Sequence, residues 1–254
     1  MGREDIPYLS PSGGEELEPF ELMGTETRAR KGRINGIVLG VVTNNQDEEN
    51  LGRVKVKFPW LGEGYESGWV RMATLMAGNE RGTFFLPEVG DEVVVAFDHG
   101  DIDYPYVIGA LWNGKDKPPE TNDTGENNVR KITSRSGHEL IFDDASGKEK
   151  VEIHTKSGNA VLLDDGGKVI EVKTKGGLKI TLDDNSKTME MVAGGSSIKM
   201  ESGGITISCN GKLVIDASTI EMKAKAKMDL SGNAGVAVKS SGLLTIEGSL
   251  VKIN

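Results

Sequence analysis

The side chains with the most obvious capacity for chemistry are three histidines, and their spacing argues against a metal site. His99, His138 and His154 occur singly, without the i, i+4 or HxH spacing that presents two imidazoles to one zinc ion. The one exception would be a trimer in which the three copies of His154 meet at the symmetry axis and bind one metal ion. If Ile153 points inward, however, His154 points outward, because successive side chains alternate along a strand. We predict no metal ligand and no cofactor.

A catalytic set and a reactive thiol can be drawn from the sequence, but both have simpler explanations. Ser136, His138 and Asp143 have the residue types of a hydrolytic triad, yet neither a nucleophile elbow nor an oxyanion loop accompanies them. Cys209 is the single cysteine, and it alternates with isoleucines as a buried structural thiol does. The sequence therefore predicts no catalytic residue and no enzyme.

One segment combines aromatic and basic side chains in a way that suits single-stranded nucleic acid. It holds Phe58, Trp60, Tyr65 and Trp69 near Arg53, Lys55 and Lys57. The formal net charge of −9 argues against a surface whose main partner is nucleic acid, because phosphate binding needs an excess of lysine and arginine. We expect the rings to fill a core or to meet a protein. A binding module for nucleic acid or glycan is the alternative function.

The composition changes abruptly along the chain. All eight prolines lie at or before Pro119, and Phe142 is the only aromatic residue after Trp112. This change predicts parts that pack by different rules. The predicted parts are a flexible acidic N-terminal arm (1–32), a barrel (33–114), a linker (115–129) and a repeat region (130–254).

The predicted arm contains neither a signal peptide nor a membrane span, because it has no apolar run of sufficient length. We expect the protein to be made in the cytoplasm without a signal peptide.

Short β-strands are predicted over residues 36–114. Ile37–Val42 is apolar and β-branched, and Val54–Phe58 alternates with period two. Similar runs follow at 92–97 and 106–111. Five or six short strands with glycines between them suit a small closed barrel, which leaves no exposed edge.

Beyond the linker the chain repeats. Each unit consists of two alternating strands and two turns, and its turns carry aspartate pairs at 143/144, 164/165 and 183/184. One unit is too small to bury its own apolar face. The absence of proline implies that few strands are sheet edges, and the absence of rings implies a narrow interior.

A narrow interior of this kind needs more than one chain. We predict that three copies wind about one axis, so that folding and assembly are inseparable. A single-chain β-solenoid is the structural alternative. The predicted trimer core consists of Val161, Leu163, Ile170, Val172, Ile180, Leu182, Ile205, Ile207, Ile215 and Ile246.

Five sequence blocks in the first part resemble the barrel of the VgrG and phage baseplate protein V spike family. The resemblance covers about residues 33–119, and the repeats resemble the triple-stranded β-helix of that family. It implies an all-β fold, in which an OB-fold-like barrel precedes a trimeric, intertwined triple-stranded β-helix. The blocks are GRVKVKFPW (52–60), SGWVR (67–71), PEVGDEV (87–93), GDIDYP (100–105) and GALWNG (109–114).

The resemblance also implies a function, which is that of the central spike of a contractile injection machine. Such a trimer docks to a baseplate hub and pierces the target membrane mechanically. Phage tails, extracellular injection particles and type VI secretion systems share this part. The chain resembles a short form of the family, without a hub-like or lysozyme domain, so we expect the hub to be a separate protein.

Two candidate partner surfaces follow from the same resemblance. The basic cluster Arg28, Arg30, Lys31 and Arg33 is the candidate hub contact. The C-terminal residues resemble blunt ends that carry a separate PAAR-repeat tip protein, and an effector cargo is a further candidate partner. The tip-binding candidates are Val251, Lys252, Ile253 and Asn254.

Overall fold

The structure is a computed structural model that describes residues 33–62 and 64–253. The predicted arm and three members of the basic cluster, Arg28, Arg30 and Lys31, lie outside the described residues, as does Asn254. The regular secondary structure of the described residues is β-strand, apart from two 3-10 turns at Pro59–Leu61 and Asp98–Gly100. The contacts divide the chain into two units, with the boundary after Thr133.

The strands of the first unit are β1 (Ile37–Asn44), β2 (Lys55–Lys57), β3 (Arg71–Met72), β4 (Ala77–Gly78), β5 (Arg81–Gly82), β6 (Glu92–Phe97), β7 (Pro105–Ala110) and β8 (Val129–Thr133). Those of the second are β9 (Glu139–Asp143), β10 (Lys150–His154), β11 (Ala160–Asp164), β12 (Val169–Lys173), β13 (Lys179–Asp183), β14 (Thr188–Ala193), β15 (Ser196–Glu201) and β16 (Gly204–Cys209).

Five strands of the first unit curl into a barrel. Their order is β2-β1-β6-β7-β3, and a bridge between Val54 and Val70 joins the two ends of that order. All neighbours are antiparallel except β3 and β7, which run parallel. The sheet therefore closes on itself, as the OB-fold-like barrel of the sequence analysis requires.

The barrel core forms because alternate residues of each strand point inward. In β6 the burial alternates strictly, so that Val93, Val95 and Phe97 are buried. Phe58 is the largest fully buried side chain, and its ring lies 5.8 Å from that of Phe97. The remaining buried apolar residues are Val42, Val54, Val56, Val70 and Val107.

Strands β8 to β16 form one long antiparallel sheet in which each strand pairs with its sequence neighbours. The sequence analysis predicts that sister chains provide the neighbouring strands. Instead, from Val129 to Cys209, the pairing is within one chain, since the connecting turns contain only two to six residues. Turns this short lead directly into antiparallel pairing, whereas parallel neighbours need a long crossover.

Residues 210–253 contain no strand within the single chain. The alternating apolar residues of the sequence analysis continue here, and they are exposed: Ile215 is 65% and Ile246 is 70% accessible. A strand exists only with a hydrogen-bonding neighbour, and one chain gives this segment none. The predicted strands of this segment are therefore not formed by an isolated protomer.

Candidate assembly surfaces

Successive side chains along each strand of the long sheet point to opposite faces of the sheet. The cross-strand register places Val161 opposite Val172, Ile180 opposite Met191, and Ile198 opposite Ile207. The apolar side chains thus form two continuous columns on one face, here called the apolar face. One column is Leu140, Ile153, Val161, Val172, Ile180, Met191, Ile198 and Ile207, and the other is Phe142, Val151, Leu163, Ile170, Leu182, Met189, Met200 and Ile205.

Eight of the ten predicted core residues lie on this apolar face, and the structure brings them together in register. The other two, Ile215 and Ile246, lie in the segment without strands. The face is about 34 Å long, because each column spans eight strands at about 4.8 Å spacing. In the single chain its residues are substantially exposed; Ile153 is 50% and Ile205 is 68% accessible. Soluble monomers rarely leave a continuous apolar surface of this extent open to water.

The opposite face of the sheet, here called the charged face, carries the charged side chains of β9–β16, many of them paired with one another, and also Ile141, Leu162, Val169 and Val192. Glu171 lies 2.8 Å from Lys179 and 3.2 Å from Lys173, nitrogen to oxygen. The pairing with Lys179, reinforced by Lys173, lowers the pKa of the Glu171 carboxyl. Similar pairs join Lys150 to Glu152 on β10. A face of this kind suits contact with water, so the two faces have opposite solvent preferences.

His154 lies on the charged face, on the opposite side of the strand from Ile153. Its Nε2 atom is 3.6 Å from a carboxylate oxygen of both Glu139 and Glu152. Within residues 33–62 and 64–253, no group of three or more histidine, cysteine, aspartate or glutamate side chains has the arrangement of a metal site.

The aspartates of the repeats make turn contacts. An oxygen of Asp183 accepts hydrogen bonds from the backbone N–H groups of Asn185 and Ser186. A hydrogen bond from the Ser186 side chain, reinforced by these backbone bonds, lowers the pKa of Asp183. Asp143 accepts one from the backbone of Ala145 in the same way. The residue drawn into a hydrolytic triad is therefore a turn residue.

The aromatic and basic segment lies on the barrel, and two of its three cations, Arg53 and Lys55, have carboxylate partners. Arg53 binds Asp47 through two hydrogen bonds of 2.7 and 2.8 Å, and Lys55 lies 3.5 Å from Glu66. Both cations also lie over the Trp69 ring, at 6.0 and 5.3 Å from its centroid. Phe58 belongs to the core, so the segment forms no open row of stacking rings.

The candidate partner contacts are described in part. Arg33 forms an isolated β-bridge with Asp101, and Ile34 donates a backbone hydrogen bond to Gly100. At the other end, Val251 is 49% and Ile253 is 90% accessible, within the segment that has no strand. Both contacts remain predictions.

Two apolar patches on the outside of the barrel were not predicted from the sequence. The first, here called the outer groove, has a volume of about 480 Å³ and is lined by Val38, Leu39, Gly40, Val41, Pro59, Trp60 and Glu92. The second, here called the hairpin patch, comprises Leu75, Met76, Phe84 and Phe85 beside the β4–β5 hairpin. The outer groove has a signal in the sequence, because residues on both sides of β1 are apolar, although a barrel core needs apolar residues on only one side.

Comparison with known proteins extends the result for the barrel. Residues 38–112 match the family described as the type VI secretion system/phage-baseplate injector OB domain. This range starts within β1 and ends just beyond β7, so it coincides with the closed barrel. The predicted resemblance of the barrel to the VgrG and phage baseplate protein V family is thereby confirmed.

Relatives of the VgrG family match a longer part of the chain. The type VI secretion system spike protein VgrG3 of Vibrio cholerae is 31% identical over 163 residues, 59% of this chain and 16% of the relative. The spike protein VgrG4b of Pseudomonas aeruginosa is 35% identical over 139 residues, 50% of this chain and 17% of the relative. The actin cross-linking toxin VgrG1 of Vibrio cholerae is 30% identical over 149 residues, 53% of this chain and 13% of the relative.

The chain thus spans less than a fifth of the length of these VgrG relatives. The matches support a role in the spike of a type VI secretion system or phage baseplate. None of the helices in residues 33–62 and 64–253 has the length and apolar character needed to cross a membrane.

Proposed function

We propose that this chain is the trimeric central spike of a contractile injection machine. Its role is mechanical: the trimer transmits the force of sheath contraction to a narrow point that pierces the target envelope. The observation that carries the proposal is the apolar face, two unbroken columns of aliphatic, methionine and phenylalanine side chains on a sheet that is charged on its other side.

Three copies can cover one another's apolar faces around a common axis. A twofold pair would cover them too, but the columns are narrow, only two side chains wide, and a three-sided arrangement encloses a slender interior. Burying a residue of this size contributes about 1.5–3 kcal/mol when burial is complete, so the face favours association strongly. The charged faces then point to solvent on all three sides.

The strandless segment 210–253 fits the same assembly. Its alternating apolar residues need hydrogen-bonding neighbours that one chain does not provide, and two sister chains running alongside would provide them. In the proposed trimer, residues 210–253 of the three chains therefore intertwine, whereas the β8–β16 sheets of the three protomers pack against one another through their apolar faces. The difference follows from the turns, which pair β8–β16 within each protomer.

The partners follow from the family resemblance. The trimer docks to the baseplate hub, with Arg33 and the basic residues before it as the contact. Residues 251–254 of the three chains bind a PAAR-repeat tip protein, which brings an effector cargo with it. The protein works without a catalytic residue or cofactor, and it is assembled from the cytoplasm into a phage tail or tail-like particle.

The alternative, an OB-fold module that binds nucleic acid or glycan, has less support. Its candidate surface is the ring of Trp69 beneath Arg53 and Lys55. Each of these cations is engaged by a carboxylate, so an incoming phosphate would have to displace Asp47 or Glu66. The net charge of −9 opposes the approach of a polyanion.

A matched pair of variants on β16 tests the proposed trimer. Ile207→Asp places a carboxylate on the apolar face, and in a trimer it buries three unpaired charges around one axis. Ser208→Asp places the same group one residue away on the charged face. We expect Ile207→Asp to abolish the trimer and Ser208→Asp to leave it intact, as measured by light scattering. A trimer that survives Ile207→Asp with unchanged stability would contradict the proposal.

A further inference from the structure

The hairpin patch is the most exposed apolar feature of the barrel. Leu75 is 94%, Phe84 is 78% and Phe85 is 66% accessible. The hairpin between them, β4–β5, belongs to neither large sheet. A two-stranded hairpin is marginally stable by itself. This one pairs over two residues of each strand, with a backbone hydrogen bond from Thr83 to Met76 at 3.0 Å and a bond from the Thr74 hydroxyl to the Thr83 carbonyl at 2.8 Å. Such an element needs a surface to lie against.

The outer groove offers such a surface elsewhere on the same barrel. Its floor is the outward side of β1, and Trp60, 47% accessible, forms one wall. Leu39 is 50% accessible beside it. The groove is a concavity lined mainly by apolar residues, and the hairpin patch exposes apolar side chains. The two surfaces therefore match in their chemistry.

Charge is complementary as well. Arg81 is exposed in β5 of the hairpin. Glu92 lies at the edge of the groove, where one of its oxygens accepts a hydrogen bond from Asn113 at 3.1 Å and the other is open to a second donor. A hairpin seated in the groove would bring an arginine to a carboxylate.

We propose that the hairpin of one protomer seats in the outer groove of the next, so that the three barrels form a closed ring. The inference rests on the proposed trimer. Threefold rings need heterologous contacts, in which one patch meets a different patch of the neighbour, and the barrel carries two such patches.

Tethering explains why so small a contact suffices. Two phenylalanines bring roughly 300–500 Å² to the contact, and together with Leu75 and Met76 the area stays at the low end for a stable interface. In the trimer, however, the three barrels are linked to one needle, so their effective concentration is in the millimolar range. The ring closes because the needle has already assembled.

Cross-linking in the full chain tests the ring. Cys209→Ser removes the native thiol, and Leu39→Cys with Met76→Cys then places one thiol in the groove and one beside the hairpin. With a short bis-maleimide we expect covalent dimers and trimers on denaturing gels from the double-cysteine protein, and none from either single-cysteine protein. The control pair Asp103→Cys with Leu39→Cys should give no such products.

Charge reversal in the same background tests the role of Arg81 and Glu92. Arg81→Glu should lower the cross-linking yield several-fold, and the further change Glu92→Arg should restore it, while thermal melting confirms that the barrel stays folded. A protein that is trimeric by light scattering but gives no interchain product would overturn the ring and leave the spike proposal standing. Equal yield from the control pair would also overturn it. A monomeric mass would instead defeat the proposed function.

Discussion

At the scale of single residues, Asp47 shows how one carboxylate can hold a whole loop. It binds the Arg53 guanidinium through both oxygens and accepts backbone hydrogen bonds from Glu49, Leu51 and Arg53. The side chain of Asp47 is only 3% accessible. The Arg53 hydrogen bond is the largest cause that lowers the pKa of Asp47, and the backbone bonds act in the same direction.

We predict an acid-dependent loss of barrel stability from this residue. Because the folded-state pKa of Asp47 is lowered, its stabilising effect is complete above the unfolded-state pKa of about 3.9 and is lost as the pH falls below that value. Thermal melting from pH 7 to pH 3 should show this loss. In Asp47→Asn the melting temperature at pH 7 should be lower and its fall below pH 4 shallower. Glu49→Gln, which removes an exposed partner of Arg53 at 3.3 Å, should have a much smaller effect. Equal effects of the two variants would contradict this account.

At the scale of elements, the turns of the long sheet are packed against one another. A Cβ atom built on Gly166 would lie 2.6 Å from the carbonyl oxygen of Gly147 and 2.8 Å from the Cα atom of Lys148. Both neighbours are backbone atoms of the preceding turn on the same edge. Gly176, in the next turn on the opposite edge, has only the Thr174 hydroxyl nearby, at 3.8 Å.

Alanine at these two glycines should therefore have different consequences. Gly166→Ala should destabilise the protein by about 1–3 kcal/mol, the usual cost of forcing backbone apart. Gly176→Ala should change the stability by less than about 1 kcal/mol. Chemical denaturation of both variants measures the difference, and a Gly166→Ala protein as stable as the control would show that the turns are not in close contact.

The sequence predicted some of these elements better than others. Alternation placed Val161, Ile180 and Ile207 on one face, because period two determines which side of a strand each residue occupies. Alternation did not predict that each strand pairs with its sequence neighbours in the same chain, because it carries no information about which strand lies alongside. The short turns between the strands contain that information, because they lead directly into antiparallel pairing.

The barrel shows the same division between what was and was not predictable. Its closed sheet followed from five apolar runs with glycines between them. The outer groove did not, because the apolar pattern of β1 does not say which of its two sides faces the core. A strand that is apolar in both phases, such as Ile37–Val42, indicates burial on both sides. In a small barrel, one of those sides is available to a partner.

At the scale of the whole molecule, the two units are unequal in their ability to stand alone. The barrel has a closed sheet and a buried core of valine and phenylalanine. The long sheet has no covered apolar side within one protomer, and residues 210–253 have no strand partner. Assembly is thus expected to be a condition of folding for the second unit, so that its stability depends on protein concentration.

The native mass of the purified full chain tests the central claim most directly. Light scattering coupled to size exclusion should give three times the chain mass of 27.2 kDa, because in the proposed trimer the sister chains cover the apolar face and complete the segment 210–253. A compact, stably folded particle with the mass of one chain would contradict the account.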